Sequence, residues 1–422
     1  MRLRAAGSVV GVCLWAGCVP QLPRSSGDGA VSAGADAGVV SFHPAVASVI
    51  QRRCLGCHGP GGISGLLLTD YPAVADRAED VLRAVESRRM PPWGVESGGD
   101  CQRYLEPRWL EPDEIDLIRR WVLSGTPRGQ GTEPLSPRQA PAPLPDATEL
   151  TMMEPYQPNA RAQDDYRCFI LDPGLAADAF LTGYDVRPGV PSEVHHIILY
   201  TLDSALAESQ ARLLDEREPG PGYTCFGTSN VSDSRPVVGW APGVTQVTYP
   251  PDTGVRLRAN RRLVMQVHYN LLQGSLPDQT GMRLQLKPTV AREAFVYLAA
   301  DLTMSVAAGQ ALAPHAFSVR PSQLGIPVGV FIHGVFPHMH QRGRTLRLDV
   351  EHAGELTCAA DVQDWDFSWQ QFYFYERPLY LYPDDQLQVR CGFDTRADQQ
   401  PVRWGEGTSD EMCLVGLYVT LF

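Results

Sequence analysis

The chain has 422 residues, 44% hydrophobic and 20% charged, an ordinary globular composition in a length too great for one typical domain. Lys and Arg number 36 against 48 Asp and Glu, and the formal charge of −12 disfavours a nucleic-acid-binding surface. Frequent Gly (39) and Pro (35) suit strands and loops better than a helical bundle.

In chain order, residues 1–18, "MRLRAAGSVVGVCLWAGC", have Arg2 and Arg4, a short apolar core and then small residues, the pattern of a signal peptide. The ending "LWAGC" resembles a bacterial lipoprotein cleavage site with Cys18 as the lipidated residue. Trp15 stands where that pattern prefers Leu, and plain secretion is the alternative. No later run reaches the ~18 apolar residues of a membrane helix. The expectation is an exported chain in the periplasm or cell envelope, with a lipid anchor to the membrane. Residues 19–40 are small, polar and aperiodic and read as a flexible tether; 126–147 are Pro-rich and read as an extended linker.

Between these linkers, residues 41–125 contain "CLGCH". Cys54-x-x-Cys57-His58 is the c-type haem attachment signature: two thiols for the thioethers and an adjacent imidazole for the iron. The other reading is a disulfide or zinc pair beside a chance His. Helical spacing of Val46, Val49 and Ile50, then of Ala78, Val81, Leu82 and Val85, and then of Ile115, Ile118 and Val122 after Pro112 predicts three short helices. Three such helices around a haem resemble a class I cytochrome c domain. Met90, in "RRMPPW", is the only Met of the module and the expected second axial ligand; His43 is its rival. His/Met ligation would make this haem an electron carrier.

Residues 148–422 alternate apolar and polar in β-branched runs separated by Gly, Pro and Asp. They predict two all-β sandwiches, placed at 148–290 and 291–422, so the fold class is a small all-α domain followed by two sandwich domains. In "SEVHHIILYTL", His195 and His196 are adjacent in a strand, where successive side chains normally point to opposite faces. His268 lies in "MQVHYN". His338 and His340, in "FPHMHQRGR", are spaced to share one strand face, and Met412 lies in "DEMC". Lone strand histidines are commonly structural, and His315 and His352 are given no role.

The order HH, QVHY, HxH, EMC resembles the copper type II, ascorbate-dependent monooxygenases, over nearly all of 148–422. The resemblance implies two jelly-roll-like sandwiches with one copper each. His195, His196 and His268 would hold the electron-accepting copper, which three imidazoles suit in either oxidation state. His338, His340 and Met412 would hold the oxygen-binding copper, the soft thioether favouring Cu(I). A bulge would let both adjacent histidines reach one metal. The resemblance also implies the bridges Cys168–Cys225 and Cys391–Cys413; Cys101 and Cys358 stay unassigned, since pairing them would cross domains. Where peptide-hydroxylating members of the family carry an Arg and a Tyr for a peptide carboxylate, this chain has Phe336 and Gly416. That argues against peptide amidation. His333 is an extra histidine with three open readings: indirect support of the site, alternative ligand, or inert.

The expected activity is hydroxylation of a C–H bond in a small organic molecule with O₂. Electrons would come from an ascorbate-like reductant or redox protein, through a haem whose flexible linker raises its local concentration. The expected cofactors are two copper ions and one covalent haem c. The rival is a non-catalytic exported copper and haem protein for electron transfer or copper handling; a binding sandwich with a vestigial metal site is a third reading.

Overall fold

A computed structural model describes residues 40–421 except 61–63, 65, 97–99, 137–143, 227, 241–243, 245, 273, 327, 368 and 406–409. The targeting segment with Cys18, and the tether as far as residue 39, lie outside the described residues. No helix of the described residues is long and apolar enough to cross a membrane.

The N-terminal module is helical: Ala45–Arg53, Leu55–His58, Tyr71–Ala75, Ala78–Glu86 and Pro112–Leu123. Three of these follow from apolar spacing, which buries Val46, Val49, Ile50, Ala78, Val81, Val85, Ile115 and Ile118 in one core with Phe42 and Trp121. Asp70 starts the Tyr71 helix by accepting the Ala73 N–H at 2.9 Å.

Residues 127–135 differ from the extended linker expected. The Phe42 N–H donates to Pro127 O at 2.7 Å and the Leu135 N–H to Thr69 O at 2.6 Å. Glu133 accepts the Tyr71 N–H at 2.8 Å and lies 3.1 Å from His43 Nε2, and Leu135 is buried in the helical core. One apolar and one acidic side chain anchor a segment whose proline content alone suggests a free spacer.

Nor does the module hang on a tether. Cys101 is disulfide-bonded to Cys358, 257 residues away in the last sandwich. Tyr104 forms a bridge with Tyr375, the Leu105 N–H donates to Phe374 O at 2.8 Å, and the Glu376 N–H donates to Arg103 O at 2.9 Å. Val95 and Tyr104 are buried in the second sandwich's own core, with the Trp93 ring 4.9 Å from that of Tyr373.

The described strands form four sheets. A five-stranded sheet runs Tyr223–Thr224, Asp164–Leu171, Leu263–Asn270, Val194–Leu202, Ser234–Trp240. A four-stranded sheet runs Ala313–Val319, Gln386–Phe393, Gly343–His352, Glu355–Val362. Ser305–Val306 pairs with Val402–Arg403. Behind both larger sheets lies one nine-stranded sheet: Ala147–Thr151, Gly281–Lys287, Ala179–Arg187, Thr253–Leu257, Arg292–Ala300, Leu414–Leu421, Val330–His338, Tyr373–Leu381, with Val247–Thr248 beside Ala179–Arg187. Thr253–Leu257 and Arg292–Ala300 pair in parallel, so the backs of both sandwiches are one continuous sheet. One core contains Tyr184, Val186, Leu199 and Met265, and the other contains Val335, Leu348, Val389 and Leu417.

A helix, Ala205–Glu216, interrupts the first sandwich where β structure was expected. Its buried face is only Ala207 and Ala211, too small an apolar signal to read as a stripe. Ser204 caps it by accepting the Ala207 N–H.

Candidate metal centres

The strand Val194–Leu202 pairs Val194 with Tyr269 and then His196 with His268, leaving His195 as an extra residue. This bulge turns adjacent rings toward one point. His196 Nδ1 lies 3.3 Å from His195 Nδ1 and 3.2 Å from His268 Nδ1. His268 Nε2 is 2.9 Å from Asp164 Oδ1 and its face stacks on Tyr166, centroids 4.1 Å apart at 9°. A carboxylate only accepts, so Nε2 carries the proton and the Nδ1 lone pair faces the other two histidines.

Burial pushes His195 down to about 3 and His196 well below its ordinary value. His268 is also lowered by burial, against the opposing pull of Asp164. Three neutral imidazoles with converging ring nitrogens cannot all satisfy one another by hydrogen bonds; a single metal ion would accept a lone pair from each. The donor set fits copper.

The second cluster is built from the end of the His338 strand and the start of the last strand. His338 Nδ1 donates to Gln370 Oε1 at 2.5 Å and His340 Nδ1 donates to Asp410 O at 3.1 Å. His338 therefore keeps its Nε2 lone pair for a ligand, and its ring is perpendicular to that of His340 with centroids 5.2 Å apart. Burial pushes His338 down to about 3. Met412 is buried beside Cys413, whose disulfide to Cys391 ties the last strand to the four-stranded sheet. Glu411 gathers this corner: Oε2 accepts the N–H of His340 at 2.8 Å and of Met412 at 3.2 Å, and Oε1 accepts the N–H of Arg342 at 2.6 Å. Burial nevertheless raises the Glu411 carboxyl to about 7. Glu411 thus brings the backbones of His340 and Met412 together, and two imidazoles with a thioether would suit a soft, reduced copper ion.

The two clusters are neighbours across the boundary between the sandwiches. The Phe367 ring lies 4.6 Å from the His195 ring and 5.7 Å from the His340 ring. Asp164, Gln370, Glu411 and Phe367 were not singled out from sequence. Of these only Glu411, next to Met412, offered a local signal. Phe336 and Gly416 face each other in register, and a Cβ on Gly416 would stand 3.1 Å from Phe336 Cβ. The wall beside His338 is therefore aromatic, with Phe372 5.2 Å from Phe336. His333 is not in this cluster's hydrogen bonding: it occupies the bulge of its strand and its Nε2 meets Thr420 Oγ1 at 2.9 Å. His315 pairs with Asp301 and His352 with Asp385.

In the helical module, Cys54 and Cys57 are the free cysteines among the described residues, the other six forming Cys101–Cys358, Cys168–Cys225 and Cys391–Cys413. Burial pushes Cys54 up to about 12. His58 Nδ1 donates to Leu66 O at 2.9 Å, which leaves Nε2 as the lone-pair nitrogen. Two unpaired thiols and an oriented imidazole fit covalent haem attachment. Met90 is exposed, and its N–H donates to Ala84 O at 3.1 Å. His43, the rival ligand, is instead buried against Glu133.

Residues 304–421 match the family model of the copper type II ascorbate-dependent monooxygenase C-terminal domain. The chain is 29% identical over 247 residues to DBH-like monooxygenase protein 1 of Gallus gallus, covering 52% of this chain and 38% of that protein. Tyramine beta-hydroxylase of Caenorhabditis briggsae is 24% identical over 249 residues, 55% and 40% of the two chains. Dopamine beta-hydroxylase of Canis lupus familiaris is 22% identical over 249 residues, 52% and 39%. The chain thus spans about two fifths of the length of the curated relatives it matches. The matched domain model is that of a copper monooxygenase, and the relatives are a monooxygenase-like protein and two hydroxylases by name.

Proposed function

We propose that the chain is a copper-dependent monooxygenase that hydroxylates a C–H bond of a small organic molecule, with a c-type haem in its helical module. The observation that carries the reading is the convergence of three Nδ1 atoms from His195, His196 and His268, beside a second cluster within the matched family domain. Bound copper would supply one-electron redox chemistry and the activation of O₂. The net reaction consumes the substrate, O₂, two electrons and two protons, and yields the alcohol and water.

The chain's own residues divide the work. Asp164 fixes the His268 tautomer, while Gln370 and the Asp410 carbonyl fix those of His338 and His340. Met412 gives the second cluster its preference for the reduced metal. Phe336 and Phe372 offer the substrate an apolar surface beside His338, so an uncharged part of the molecule is held there. Cys54 and Cys57 would attach the haem, and His58 and Met90 would hold its iron. The electron donor is an ascorbate-like reductant or a redox protein. Three disulfides support an exported chain, and Cys18 would anchor it to a membrane.

The test is metal and haem analysis of the purified chain, then O₂ uptake with a reductant and a panel of small organic substrates. Two copper ions, one haem and a hydroxylated product are expected. Both cofactors bound with no substrate-dependent O₂ uptake would leave a non-catalytic electron-transfer protein instead.

A further inference from the structure

We infer that Phe367, a residue of the second sandwich, is a positioning residue for the three-histidine cluster of the first; this rests on the copper reading of that cluster. The three imidazoles are not held alike. His268 is gripped from two sides, by Asp164 at Nε2 and by the Tyr166 ring on its face. His196 is hemmed in by the other two, its Nδ1 3.3 and 3.2 Å from theirs. His195 makes no hydrogen bond outside the cluster among the described residues, and Asp164 reaches it only through its charge. Its outer neighbour is Phe367, with ring centroids 4.6 Å apart and planes at 34°. A histidine ring turns about two side-chain torsions, so one whose outer nitrogen has no protein hydrogen-bond partner depends on packing for its orientation.

Phe367 is itself fixed by the other cluster. Its ring meets His340 at 5.7 Å, and its carbonyl accepts Gln370 Nε2 at 2.8 Å, the same amide whose oxygen takes the His338 proton. Two residues earlier, Trp365 Nε1 donates to His340 O at 3.0 Å. One short segment between Glu355–Val362 and Tyr373–Leu381 therefore orients ligands in both clusters. The angle at which His195 presents its nitrogen depends on the second sandwich being in place.

The test is Cu(II) binding to the full chain, followed by chelator competition and by the hyperfine splitting in electron paramagnetic resonance. Phe367→Ala should weaken one copper equivalent by about tenfold or more and change its splitting. The equivalent affected should be the one lost in His268→Ala. Phe367→Tyr, which keeps the ring, should retain the wild-type splitting. Phe367→Leu, which keeps most of the volume, should shift it in the same direction as Ala, and covers the case in which the Ala variant folds poorly. Phe317→Ala, half-buried in the second sandwich's core, controls for general loosening and should leave the splitting alone. Wild-type splitting and affinity in both Phe367→Ala and Phe367→Leu would overturn this inference only. A wild-type chain that takes up no copper at the three histidines would overturn the reading beneath it.

Discussion

Glu411 Oε2 accepts the backbone N–H of His340 at 2.8 Å, so the residue before Met412 holds the segment that carries the two histidines. Both of its oxygens act as acceptors, for Arg342 on one side and for His340 and Met412 on the other. Glu411→Gln is therefore not conservative, because it turns a donor toward backbone donors. It should cost on the order of 1–3 kcal/mol of stability, the penalty of a buried unsatisfied group. It should also weaken one copper equivalent about tenfold. Unchanged melting and copper stoichiometry would show that the corner is held without it.

The two clusters should separate by mutation. Met412→Ala removes the thioether and leaves the three imidazoles intact, so one copper and its spectrum should persist while product falls at least about a hundredfold. His268→Ala should remove the other copper and leave His338, His340 and Met412 reducible by a strong external reductant, with sustained turnover lost. Copper stoichiometry and O₂ uptake in both variants decide it. Loss of both ions together in either variant would argue for one shared metal site.

For the haem reading, covalent haem should be present and lost in a Cys54→Ser, Cys57→Ser double variant. Met90→Ala should lower the reduction potential and remove the sulfur-to-iron absorption band. A wild-type protein that lacks the band would rule out Met90 as the ligand.

The attachment of the helical module is open to a simple cut. A specific protease site introduced between residues 137 and 143 should, once cleaved, leave both fragments together on a non-reducing gel. They should separate after reduction of Cys101–Cys358. Separation without reductant would mean that this bridge does not form in the protein.

His333 predicts an acid sensitivity. Burial, with Arg292 nearby, pushes it down to about 4, against an ordinary value near 6.5. Above pH 6.5 it is neutral folded or unfolded. As the pH falls below that, the unfolded chain takes the proton first and stability drops, levelling off below about 4. The full effect is on the order of 3 kcal/mol. His333→Gln, which keeps a partner for Thr420, should make the melting-temperature profile between pH 6.5 and 4 less steep, the remaining slope coming from the other buried histidines. An equally steep profile in the variant would place the sensitivity elsewhere.

What the sequence revealed follows from how local each signal is. The adjacent His195 and His196 announced a distorted strand because period-two alternation cannot put both on one face, and the bulge is there. The HxH pair was legible for the same reason. Asp164 was not, because it stands 104 residues from His268 and joins it only through the pairing of two strands. Gln370 lies in a connecting segment with no periodicity at all. Cys101 and Cys358 stayed unpaired on paper because the bridge depends on the module folding against the far sandwich, a contact no spacing encodes. The continuous sheet was hidden likewise: the parallel pairing of Thr253–Leu257 with Arg292–Ala300 is set by three residue pairs.

That parallel seam bears on how the molecule can be divided. A chain cut at the boundary near residue 290 would strip Thr253–Leu257 of its neighbour in one half and Arg292–Ala300 in the other. Each fragment would present bare N–H and C=O groups to solvent, the template on which strands of other molecules add. The halves should therefore clump when produced separately and dissolve when produced together. They are not interchangeable cassettes: an exchanged half would have to match its new companion along the seam as well as at the metals.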